Sequence, residues 1–308
     1  MLGSRLNQIT RDLEELRTIG ATGKKLNRPS DNPAAVRPVL NTRKQLSNVD
    51  RYLETMGQAF DTMKSTDGHL NHIENTLVRV KELAINAVNG VMSDEDMRVL
   101  AEQVGHMRQE LIDAANGTVN GKYIFAGYEE KTKPFAVNPD YTPGGYNPAD
   151  QATWPVLYQG DANPTELEIT PGEMLEVNLT GNTLFLGDAD NNGETDAGRI
   201  DIFAVVTNVM EAIENQDIPR IESEIDNLDL AADQNRRLRS RLGNHTQRVE
   251  TAMDHQEEMR IDLQQILSRY EDADAIEAFN NIVQQETAFQ AALSVTSKVS
   301  KLSILDFI

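Results

Sequence analysis

From Leu228 to Tyr270 the chain repeats one pattern without a slip, three and four residues apart: Leu228, Ala231, Asn235, Leu238, Leu242, His245, Val249, Ala252, Gln256, Met259, Leu263, Ile266 and Tyr270. Such a run in a single phase specifies a long coiled-coil-like helix, about 60 Å at ~1.5 Å per residue. Its narrow seam buries nothing alone, so another part of the chain must lie along it. Asn235, His245 and Gln256 fall on seam positions, where an isolated polar residue fixes register.

The front half offers the matching pattern. Leu46, Val49, Leu53, Met56, Phe60 and Met63 form one series, and Leu70, Ile73, Leu77, Val80, Ala84, Ala87 and Val91 a second. The apolar phase changes near Gly68, which predicts a kink or local repacking there. "NGVMSDEDM" reads as a turn, with Ser93 capping a helix whose first turn carries Asp94, Glu95 and Asp96, where the helix dipole favours carboxylates. Met97, Leu100, Val104, Met107 and Leu111 continue that helix. Between Gly117 and Ile200 the character changes: "GKYIFAGYEEKTKPF", "WPVLYQG", "TELEITPG" and "MLEVNLTGNTLFLG" are short β-branched and aromatic runs punctuated by Gly, Pro, Asn and Asp, the mark of strands and hairpins. Helix resumes near Asp201 with Phe203, Val206, Met210 and Ile213, and Pro219 opens the next one.

The expected fold is therefore mainly α with a β-rich insertion: a helical bundle built from both halves of the chain plus an outer β domain. Five segments follow, at 1–44, 45–118, 119–200, 201–272 and 273–308. Hydrophobic residues make up 39% but aromatics only 5%, which predicts cores of Leu, Ile, Val, Met and Ala. A net charge of −20 argues against wrapping a polyanion, because affinity for nucleic acid rests on lysines and arginines displacing counterions. Charge is uneven: residues 1–44 hold nine basic and four acidic side chains, residues 121–200 four and thirteen. With no cysteine, disulfides, thiolate metal sites and cysteine nucleophiles are excluded. No apolar run is long enough to cross a bilayer, and "MLGSRLNQIT" lacks the apolar stretch of a cleavable signal peptide, so export, if it occurs, takes another route.

Both ends carry apolar stripes set off by breakers. Leu2, Leu6, Ile9, Leu13 and Leu16 share a helix face that ends near Gly20 or Gly23; Phe279, Ile282, Phe289 and Leu293 form the tail stripe before "KLSILDFI". The break "GKKLNRPSDNPAAV" reads as a joint. Gly23 supplies a left-handed residue to close the first helix, Pro29 keeps Arg28 out of the α region, and Asp31 or Asn32 caps a new helix with Pro33 at its first position. Pro38 then conflicts with a helix interior, leaving a start nearer Arg37 as the alternative. The joint is expected to let the terminal segment order independently of the body.

"GKKLNRPSDNPAA", the seam after it, "GKYIFAGYEEKTKPF" and "FNNIVQQETAFQAALSVTSKVSKLSILDFI" resemble the flagellin superfamily over nearly the whole chain; the joint "NRPSDNP" and the ending "SILDFI" favour its hook-filament junction branch. That resemblance implies an exported structural subunit. Such subunits pass unfolded through the flagellar type III secretion channel, with an export chaperone, and join an adaptor hook-associated protein to flagellin as a homo-oligomer in the extracellular flagellum. It further implies that contacts between copies fall on Leu6, Ile9, Leu13, Leu16, Ile282, Phe289, Leu293, Leu302 and Leu305, with the β module facing outward. The alternative for these residues is packing within one molecule. The superfamily has further residues before Met1, so the chain is expected to lack part of its N-terminal assembly helix and to be a monomer in isolation.

Other sites are weaker. Asp188, Asp190, Asn192 and Asp196 match the opening of an EF-hand loop, but Arg199 stands where the bidentate Glu belongs and no helix pair flanks the loop, so a solvated acidic turn competes with calcium. "RRLRSR", Arg236 to Arg241, is expected to pair with acids on neighbouring helices rather than bind nucleic acid. His69 and His72 lack a third ligand, and no nucleophile motif or phosphate loop is present, so no enzyme activity and no cofactor are expected. A minor flagellin of the filament, a coiled-coil adhesin or binding module using Phe135 to Gly187, and membrane-binding terminal helices are the rival readings.

Overall fold

Seams with this spacing give long helices. In the computed structural model, which describes the backbone of residues 2–90 and 92–305 and the side chains of 4–90 and 92–298, the order is α1 (Leu2–Thr22), α2 (Pro33–Asn89), α3 (Asp94–Ala115), β1 (Thr118–Val119), β2 (Lys122–Tyr123), β3 (Phe135–Val137), β4 (Val156–Tyr158), β5 (Glu166–Thr170), β6 (Glu173–Glu176), α4 (Ile202–Glu214), α5 (Ile218–Glu271) and α6 (Ala275–Leu305). The chain divides into two compact units, residues 1–51 with 256–308 and residues 52–255. The unit boundaries fall inside the segments 45–118 and 201–272 set out above.

In the 52–255 unit, α2 and α5 lie antiparallel. Asn235 donates to the Leu70 carbonyl (3.0 Å), Arg239 binds Asp67 (2.7 Å), and Lys81 binds Asp229 (2.6 Å). Helix α2 is continuous through Gly68, where a kink or local repacking is expected. The buried seam is Met56, Met63, Thr66, Leu70, Ile73, Leu77, Val80, Ala84 and Ala87, which alternates three and four residues apart from Met63 onward once Thr66 is counted. Thr66 is buried because its hydroxyl donates to the Thr62 carbonyl (2.9 Å), so a polar residue holds the phase that apolar counting lost. Ser93 and Asp96 form a reciprocal capping box at the start of α3, which packs on α4. Helix α4 is apolar nearly all round and accordingly buried.

The β-rich region contains three separate antiparallel ribbons, β1–β2, β3–β4 and β5–β6, joined by loops. "NTLFLG", expected as strand, is instead a π-helical turn at Asn182–Leu186 that buries Leu184, Phe185 and Leu186. Composition also misled about the core. Phe125, Phe135, Phe185 and Phe203 are fully buried with ring centroids 5.0–5.3 Å apart, so few aromatics converge on one place. The β5–β6 ribbon turns at Pro171-Gly172, where Gly172 takes φ +85°. It is fastened to α5 by Arg248–Glu173 (2.5 Å), Arg241–Glu176 and His245 Nδ1 at the Glu176 carbonyl (2.7 Å).

The other unit has a thin interior. Its buried apolar residues, among those described, are Leu13, Ala35, Val39, Val49, Leu263 and Ala278. Helix α2 begins at Pro33 and not at Arg37; the Asn32 side chain accepts from the Ala35 amide (3.2 Å). Pro38 lies inside the helix at the cost of one backbone bond, while Ala35, Val39 and Thr42 bury the turns on either side of it.

Candidate assembly surface

Helix α1 packs on α6. Arg17 pairs with Glu286 (2.8 Å) and Gly20 sits against the Ile282 side chain, so the helices run antiparallel. This register sets Phe289 level with Leu13. Leu13 is 5% exposed, Leu6, Ile9, Leu16, Ile282 and Phe289 are half-buried, and Leu293 is exposed. The side chains of Leu2, Leu302 and Leu305, and the rest of "KLSILDFI" with them, lie outside the described residues.

The tail stripe read as one line divides into two faces. Ile282, Phe289 and Ala278 turn towards α1, whereas Ile276, Phe279, Val283 and Leu293 remain exposed, Ile276 at 76% and Phe279 at 64%. At 100° per residue the apolar arc from Ala278 to Ile276 spans about 160°, wider than the ~100° stripe one partner helix needs. Ile276 and Val283 were missed as surface candidates, yet the signal was legible: apolar residues at i, i+3 and i+7 beside the main stripe.

At the joint, Gly23 has φ +68° and its amide donates to the Ile19 carbonyl (2.8 Å), closing α1. Asp31 folds the loop back by accepting from the Asn27 (3.0 Å) and Arg28 (2.6 Å) amides, and Pro29 sits between. The loop also bonds to the stretch between α5 and α6. Lys24 forms an antiparallel bridge with Asp272, and the amide of Lys25 donates to the Glu271 carbonyl (2.7 Å).

Comparison with known proteins assigns this architecture. Residues 2–130 match the bacterial flagellin N-terminal helical region and residues 225–308 the bacterial flagellin C-terminal helical region. The chain belongs to the flagellin family. Flagellar hook-associated protein 3 of Escherichia coli is 27% identical over 301 residues, spanning 92% of this chain and 89% of that protein. Its Salmonella typhimurium counterpart is 30% identical over 191 residues, spanning 60% and 57%. Among solved structures, a flagellar hook-associated protein of Vibrio parahaemolyticus superposes with a TM-score of 0.64 at 14% identity, covering 79% of this chain and all of that one (100%). The hook-associated protein-3 of Legionella pneumophila gives 0.62 at 15%, covering 75% and 98%.

The remaining candidates serve the flagellin fold. Asp188 accepts from the Asn192 and Gly193 amides (3.0 Å each), Asp190 from the Asn192 side chain (3.1 Å), and Asp196 from the Ala189 amide (2.9 Å). Burial raises the Asp188 carboxyl above its ordinary range, against the pull of those amides. The carboxylates thus fold the loop, with Asp190 beside Asp188, and among the described residues no group of three or more His, Asp or Glu could hold a metal. Arg236 and Arg239 pair with Glu74 and Asp67 across α2. His72 faces Glu110 (3.4 Å), and His69, lowered chiefly by burial, packs edge-on to Phe125. Among the described residues no helix is long and apolar enough to cross a membrane.

Proposed function

We propose that this flagellin-family chain is a structural subunit of the bacterial flagellum, exported and assembled where hook meets filament. There it links an adaptor hook-associated protein to flagellin. The observation that carries the reading is the surplus apolar arc of α6: α1 covers only one side of it, and Ile276, Phe279 and Val283 are left for a neighbouring copy. Leu6, Ile9, Leu16 and Leu293, with Leu302 and Leu305 beyond them, form the rest of the contact, while Leu13, Ile282 and Phe289 join α1 to α6 within the chain. The likeness to hook-associated protein 3 over 92% of the chain favours the junction over the filament, since the flagellin of Listeria monocytogenes matches over only 32%. A chaperone holds the tail before export. Burial, not catalysis, is the chemistry of this role.

Deleting the gene is expected to leave hooks without filaments and to release flagellin into the medium. Intact filaments on the deletion strain would assign a minor flagellin instead. Complementation with Phe279→Asp should restore secretion but not filaments, with the purified variant remaining a monomer by light scattering, as the parent chain is on its own. Normal filaments with Phe279→Asp would remove α6 from the contact.

A further inference from the structure

The two breaks in the terminal unit lie far apart in sequence yet meet at one carboxylate. Glu271, the last residue of α5, has a side chain only 1% exposed. One of its oxygens takes the Lys24 ammonium (2.9 Å) from the first joint, and the other takes the Arg43 guanidinium (2.7 Å) from α2. Its backbone carbonyl accepts from the amides of Lys25 (2.7 Å) and Leu26 (3.4 Å). The Ala273 amide donates to the Gly23 carbonyl (2.9 Å), completing an antiparallel ladder, and the Lys25 ammonium caps the Arg269 carbonyl (2.6 Å). Both cations are partly open to solvent while the carboxylate is covered, so the charge is neutralised only when all three parts of the chain are in place.

We infer that Glu271 is a clasp that locks the two joints into one hinge, fixing the angle at which the α1–α6 pair leaves the adjoining ends of α2 and α5. A buried carboxylate stripped of both cations is strongly disfavoured, so the hinge has two settings, closed with Glu271 paired or open with Glu271 in water, and no stable position between them. The contact between α1 and α6 uses none of these groups. It rests on Leu13, Ile282, Phe289 and the Arg17–Glu286 pair, so opening the clasp moves the two terminal helices together. This goes beyond the junction role and does not depend on it.

Amide hydrogen exchange on the full monomeric chain tests the clasp. In Glu271→Ala, segments 23–27 and 271–275 should exchange at least about tenfold faster than in the parent, while segments 10–20 and 280–290 stay within about twofold. The Trp154 fluorescence melt, which reports the 52–255 unit, should not move. Should Glu271→Ala fail to fold, the paired variant Lys24→Met with Arg43→Met reads the same amides from the other side, and the same acceleration is expected. Unchanged exchange at both joints would overturn the clasp. Loss of protection across 10–20 and 280–290 by the same factor as the joints would overturn the claim that the helices move as a pair.

Discussion

Residues 52–255 hold 35 acidic and 15 basic side chains, whereas residues 1–51 and 256–308 together hold fourteen of each, so the whole net charge of −20 belongs to the first group. The same division separates their interiors. The larger unit has a contiguous core running from Met56 to Ala252 around the phenylalanine cluster; the terminal unit has a few scattered buried residues and an apolar face open to water. A unit that carries a strong field of one sign repels its own kind, and one that is neutral and half-covered invites it. The comparison teaches that the contiguous core and the exposed apolar face fall to different stretches of one chain.

The largest expected effect attacks the self-sufficient unit. Phe185→Ala removes a ring that packs against Phe125, Phe135 and Phe203 and should cost about 3–5 kcal/mol. The Trp154 melt should shift down sharply while exchange in α1 and α6 is unaltered; a common loss in both would erase the distinction between the units.

Next comes Asp201, the wholly buried cap of α4, whose carboxyl burial pushes up to about 7 despite amides of Ala204 and Phe203 and the charge of Arg108. Between about pH 4 and pH 7 the folded chain keeps a proton that the unfolded chain releases, so this group favours folding in acid and loses that contribution as pH rises through 7. Asp201→Asn retains a good cap without the charge. It should stabilise the 52–255 unit by about 2–4 kcal/mol at pH 8, with the gain shrinking towards pH 4. A gain independent of pH in chemical denaturation would show that Asp201 is not the titrating group.

The smallest effect sharpens the other side. Leu13→Ala should weaken α1–α6 packing by about 2 kcal/mol, at the low end for a buried leucine because the surrounding helices are already partly wet. Exchange in 10–20 and 280–290 should accelerate with no change in the Trp154 melt.

Periodicity made the long helices legible. Ser93 with Asp96, Asn32 with Pro33, and Gly23 each announced a terminus, because caps act over three or four residues and need no distant partner. What failed had a different range. Thr66 hid the seam phase because a hydroxyl satisfied by its own helix buries as an apolar group does, and "NTLFLG" has strand composition but coils because Phe185 must reach Phe125, Phe135 and Phe203. Within the candidate surface the sequence marked Leu13, Ile282 and Phe289, yet placed Phe279 on their line; which part of a wide apolar arc stays open depends on where the neighbouring helix sits.

The sequence by itself determined the helices, their caps, the position of the insertion and membership of the flagellin family, since each rests on residues a few positions apart or on motifs of fixed spacing. Only the tertiary structure decided that Lys24 and Arg43 would share Glu271, that four phenylalanines would meet, and that α6 would keep one face uncovered. Those outcomes join residues far apart in the chain, and burial of a charge or a ring is a property of the place where they meet, which no local pattern encodes.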